Sequence, residues 1–135
     1  MLRGFCTIKI DNNIINLQDY TEKFQLFACS TTKIEVASIC IVENLDTFLV
    51  AEKLLGKKFV FLHKYGRIGK EAISILHAKG VLVFVDYGFN GLEEFLRIQE
   101  IVDHAKLYIP ENYEELFAKY SKSLTNNKAQ ITNKV

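Results

Sequence analysis

The sequence predicts an α/β domain with a mainly parallel sheet of four strands, helices on both faces, and a short β-hairpin before it. Three observations predict it. Short apolar, β-branched runs at residues 36–42, 59–62 and 81–85 suit strands covered on both faces. Stretches with helical spacing separate these runs, and alternating strands and helices require right-handed crossovers and parallel pairing. The chain has 135 residues, one ordinary domain, enough to bury about two-thirds of its unfolded surface.

Residues 5–16 alternate loosely around Asp11-Asn12-Asn13, the pattern of two short strands about a turn. Residues 18–29 predict a short helix containing Tyr20, Phe24 and Phe27, followed by the polar connector 30–33. After the strand at 36–42, Asp46 and Thr47 are placed to cap a helix carrying Phe48, Leu49, Ala51, Leu54 and Leu55, which Gly56 ends. The strand at 59–62 leads to a helix predicted over 69–79, with Ala72, Ile73, Ile75 and Leu76 inward and Gly80 as its stop. The third strand, 81–85, is the most apolar. The loop 87–91 follows, then a helix to about residue 104 with Leu92, Phe95, Leu96, Ile98 and Ile101 at helical spacing. Residues 107–109 predict a fourth strand, stopped by Pro110. A last amphipathic helix is expected from 111 to about 124, with acids in its first turn, and then a flexible polar tail over 125–135. The expected organisation is an extension of hairpin and helix over 1–35, the α/β domain over 36–124, and the tail.

Hydrophobic residues make up 49% and charged residues 24%, ordinary for a globular protein, and the net charge is +1. Affinity for nucleic acid must therefore come from a local patch. Cys6, Cys29 and Cys40 lack metal-ligand spacing, and Cys40 sits in an apolar run as a core residue. A reducing cytoplasm is the expected location. The segment 1–11 lacks the apolar stretch of a signal peptide, and no run approaches the roughly 18 apolar residues of a membrane span.

Ligands of open parallel sheets bind beyond the carboxyl ends of the strands. Glu43 and Asp86 each directly follow a buried strand there, where a carboxylate is costly to desolvate unless paired, solvated or bound to a cation. If strands one and three are neighbours, in a 2-1-3-4 order, both acids come within reach of one ion. Magnesium needs only one or two protein carboxylates. The alternative is that each acid caps the next helix or contacts a backbone amide. Residues 56–70 carry Lys57, Lys58, Lys64, Arg67 and Lys70 without an acid. Lys64, Arg67 and Lys70 are candidates for phosphate contacts at the binding edge, against the alternative of a solvated turn. Gly66-Arg67-Ile68-Gly69-Lys70 fails the P-loop spacing, because Lys64 stands where the first glycine belongs and Glu71 follows Lys70. His63, His77 and His104 show no metal-ligand spacing. Tyr87 and Phe89 are placed either to stack on a base or to pack on the next helix.

At these residues the chain resembles a Toprim domain, over roughly residues 36–120. The likeness is to the C-terminal Toprim domain of Wadjet-type defence-system nuclease subunits and to the topoisomerase VI A subunit. Val42-Glu43-Asn44-Leu45-Asp46-Thr47-Phe48 resembles the strand-one "EN…TF" segment, and Asp86-Tyr87-Gly88-Phe89-Asn90-Gly91 stands where the family has its "DxD…G" turn. Lys64-Tyr65-Gly66-Arg67 matches the glycine-containing loop after strand two. The resemblance implies a Rossmann-like sheet, Mg2+ held by Glu43 and Asp86, phosphodiester chemistry, DNA as partner, and further proteins of a larger complex. Gly88 occupies the place of the second aspartate, so the site loses one ligand and one negative charge; Glu93 and Glu94 are the carboxylates that follow nearest. The resemblance therefore implies a degenerate magnesium site, with a competent magnesium-dependent nuclease as the alternative. A flavodoxin-like binding module is a further alternative, although its acidic cluster after strand one is here reduced to Glu43 followed by Asn44.

Overall fold

The computed structural model describes residues 1–30, 33–64, 73–85 and 88–109. The expected helix at 111–124, the tail at 125–135 and residues 69–72 of the expected second helix lie outside the described residues. So do Asp86, Tyr87, Arg67 and Lys70.

The hairpin forms as the turn chemistry requires. Strand β1 (Leu2–Arg3) precedes β2 (Thr7–Ile10) and β3 (Asn13–Asn16), and β2 and β3 pair antiparallel from Ile10↔Asn13 to Thr7↔Asn16. Asp11 and Asn12 both have positive φ, 49° and 68°. Two such residues make the tight turn whose twist matches that of the strands, and Asp and Asn tolerate this conformation well. Helix α1 (Leu17–Phe24) is shorter than the predicted 18–29. Gln25 adopts a left-handed conformation (φ 73°) and closes the helix with its N–H on the Thr21 carbonyl. The chain then runs extended, and Phe27 exchanges two backbone hydrogen bonds with Leu2, at 2.7 and 2.8 Å. Pairing with a strand overrides the helical spacing of the aromatics.

Strand β4 (Ile34–Val42) is the centre of the sheet. On one side it pairs parallel with β6 (Leu76–Phe84), from Ile34↔Leu76 to Val42↔Phe84. Its other side is shared, antiparallel to β2 at Ile34 and Glu35 and parallel to β5 (Val60–Leu62) at Ile39, Cys40 and Ile41. β1 lies antiparallel on β5, and β7 (Lys106–Leu107) parallel on β6. The fold is α/β with one mixed, mostly parallel sheet, and the hairpin is stitched into it.

The predicted helix over 69–79 is corrected at its second half. Ile73 and Ser74 are helical, but Leu76 onward is strand β6. The spacing of Ile73, Ile75 and Leu76 imitates a helix. The backbone groups of 76–80 instead complete the ladder along 34–38, where an uncovered β4 would leave donors and acceptors unpaired. Gly80 stands opposite Ser38 in that ladder and stops no helix; a Cβ there would lie 3.2 Å from Ser38 Oγ.

Alternation along β4 divides the core in two. Ile39 and Ile41 join Val81, Val83, Leu17 of α1 and Ile98 of α4 (Phe89–Ile101). Cys40 and Val42 join Phe61, Phe48 and Ala51. Helices therefore cover both faces. Burial pushes the Cys40 thiol up to about 12. The second cover is two short helices rather than one, α2 (Leu45–Phe48) and α3 (Ala51–Leu55), with the break at exposed, β-branched Val50. Gly56 (φ 82°) ends α3 as expected. No helix among the described residues is long and apolar enough to cross a membrane.

Arg3 is buried at 3% exposure beneath α3. It donates to Glu52 with both terminal nitrogens, and also to the carbonyls of Phe48 (3.0 Å) and Gln25 (2.6 Å). A buried guanidinium is tolerated only with its donors satisfied in this way.

Candidate functional site at the carboxyl edge

The parallel strands β5, β4 and β6 end side by side. β4 stops at Val42, and Glu43 follows it exposed. The Glu43 N–H continues the ladder by donating to the Phe84 carbonyl at 3.0 Å. Asn44 is then extended and caps α2, its Oδ1 accepting from the Thr47 N–H at 3.0 Å. The cap is thus Asn44 rather than the expected Asp46 or Thr47, and Glu43 does not serve as one. Asn44 wins because capping needs a short side chain on an extended residue directly before the first turn.

On the neighbouring strand, β5 is followed by buried His63 and exposed Lys64. His63 Nδ1 lies 3.0 Å from the Val42 carbonyl oxygen, and its ring packs on Phe48 with centroids 5.5 Å apart. Its backbone exchanges hydrogen bonds with Met1, at 2.8 and 3.0 Å. Nε2 is buried without a hydrogen-bond partner among the described residues. His63 was not distinguished by histidine spacing. Its signal in the sequence is its place, a polar residue directly after the apolar run 59–62 at the same edge as Glu43.

β6 is followed by buried Val85, and α4 begins at Phe89, with Gly88 before it offering no side-chain cap. Asp86, the second acid of the expected pair, falls between these described residues. Of the acids nearest to Gly88 in sequence, Glu94 is held by Arg97 within α4, with Arg97 Nε 3.2 Å from Glu94 Oε2.

The lysine-rich stretch divides. Lys57 and Lys58 precede β5, at its amino end, with their ammonium groups 4.9 Å from the Phe5 ring centroid and 5.1 Å from that of Phe59. Lys64 stands after β5, at the carboxyl edge. Of the three cations expected there, Lys64 is described; Arg67 and Lys70 lie outside the described residues.

Magnesium prefers hard oxygen donors and takes one or two protein carboxylates. Glu43 supplies one such group at this edge. Among the described residues no three His, Cys, Asp or Glu side chains are grouped to hold a metal ion. An open groove of about 810 Å3, bordered by Lys9, Ile14, Glu35, His77 and Lys79, lies at the amino end of the sheet, away from Glu43.

No family model, no curated protein and no solved structure matches the chain.

Proposed function

We propose that this chain is a Toprim-like, nucleic-acid-associated module whose acidic edge, Glu43 and Asp86, has weak magnesium affinity and reduced or no phosphodiester-cleaving activity. The observation that carries the reading is the adjacency of β4 and β6, with the Glu43 N–H on the Phe84 carbonyl. Asp86 stands two positions after Phe84 in the sequence, so strand order is compatible with both acids sharing one edge. A Rossmann-like arrangement of the four parallel strands belongs to the same reading.

Gly88 in place of a second aspartate is the reason to propose a degenerate site. A magnesium site of low affinity that loses a carboxylate loses charge as well as geometry, while the fold persists. In this reading Lys64, Arg67 and Lys70 contact DNA phosphates, and partner proteins of a larger complex supply what the edge lacks. When bound, Mg2+ would offset charge on a phosphodiester. The protein's own part is to orient the acids and the phosphate-contacting cations.

Titration with Mg2+ or Mn2+, followed by nuclear magnetic resonance at Glu43 and Asp86, tests the reading. Saturable shifts at both acids that vanish in Glu43→Gln are expected. Silence at millimolar metal overturns the magnesium site. DNA binding that weakens with salt, and weakens further in Lys64→Ala and Arg67→Ala, is expected of the phosphate contacts; equal binding by these variants overturns them.

A further inference from the structure

We propose that His63 is the positioning residue of the acidic edge, clamping the peptide plane from which Glu43 departs. The Val42 carbonyl and the Glu43 N–H belong to one planar peptide group. Its N–H is taken by the Phe84 carbonyl of β6 at 3.0 Å, and its carbonyl lies 3.0 Å from His63 Nδ1. The plane is therefore held from both flanking strands, by backbone on one side and by a side chain on the other. The last registered pair of β4 and β5 is Ile41↔Leu62. Beyond it the imidazole takes over from the ladder and extends the support by one peptide.

A carbonyl oxygen can only accept, so Nδ1 is the donor of this hydrogen bond. That assignment accounts for a polar side chain at 3% exposure whose other nitrogen has no partner among the described residues. An orphaned nitrogen is costly to bury, and an apolar residue of similar size would fill the place beside Phe48 without that cost. His63 is thus suited to what an apolar residue cannot do, donating to Val42. The fixed plane sets the position of the Glu43 Cα, the root of its side chain. So far as Glu43 is the working acid, the inference rests on the function proposed above; the clamp itself does not.

The test compares His63→Leu with His63→Asn in the full chain, because the Asn amide can present an N–H where Nδ1 stands. Amide hydrogen exchange at Glu43 is read against amides in the middle of β4 and β6. Loss of one hydrogen bond of ordinary strength gives His63→Leu about tenfold faster exchange at Glu43, with mid-strand amides unchanged. His63→Asn should restore the wild-type rate. Unchanged exchange at Glu43 in His63→Leu overturns the proposal, as does equal acceleration across the sheet, or failure of His63→Asn to restore protection. Metal titration of the same variants separates the two claims. A wild type without metal response removes the proposed magnesium site, while the exchange result still decides the clamp.

Discussion

Arg3 and Glu52, 49 residues apart, form a two-pronged ion pair that ties β1 to α3, with side-chain exposures of 4% and 14%. Removing one member strands the other in a poorly solvated place. Glu52→Ala should destabilise the protein by about 2–4 kcal/mol, toward the lower range for a buried pair because Glu52 keeps some solvent contact. Urea unfolding measures it. The double variant Arg3→Met with Glu52→Leu should not recover, because the Gln25 and Phe48 carbonyls also lose their donor.

The same pair makes stability sensitive to acid. Burial pushes the Glu52 carboxyl up, but the hydrogen bonds and charge of Arg3, its own backbone amide and Lys53 together hold it below its ordinary value of 4.5. A carboxyl lowered in the folded state contributes stability that is complete above the unfolded value and lost as pH falls through the folded one. Urea midpoints should therefore drop below about pH 4.5, and Glu52→Gln should flatten that part of the profile. A Glu52→Gln profile parallel to wild type would remove this residue as the cause.

The hairpin turn offers a backbone test. Asn12 has φ 68°, where a β-branched side chain is strained. Asn12→Val should cost about 1–2 kcal/mol, whereas Asn12→Gly should be neutral or stabilising. Thermal unfolding of the two variants checks the order.

Gly80 and Ser38 test the strand at 76–80. An added Cβ meets Ser38 Oγ at 3.2 Å but Ser38 Cβ at an ordinary 3.8 Å. Gly80→Ala should thus be more favourable in a Ser38→Ala background than in wild type, by about 0.5–1 kcal/mol in a double-mutant cycle. Additivity would mean that the two residues do not face each other.

How far the sequence could be read depended on how local each signal was. The apolar runs behind β4, β5 and the second half of β6, the Asp11-Asn12 turn and the Gly56 stop each carry their cause within a few residues, and all are present. Leu76–Gly80 was illegible because its partner, Ile34–Ser38, lies some 40 residues away, and tertiary pairing outweighs propensity. β1 was missed because two residues show no periodicity; the buried Arg3 reads as a surface cation until Glu52 is beside it. At the edge, Glu43 was legible from the strand that precedes it. The place of His63 was legible in the same way, but its role was not, because that depends on β5 lying beside β4.

The shared flank of β4 also bears on how the chain reaches this state. Its partners are drawn from residues 9–10, 60–62 and 76–84, so the central strand has no neighbour that a local turn would deliver. Each pairing must close a long loop before any ladder bond repays the lost chain entropy. Assembly of the sheet is therefore a late, collective search, of the kind that puts non-local topologies on a timescale of about milliseconds to seconds. Until it ends, the apolar run 39–42 has both strand edges open to other chains.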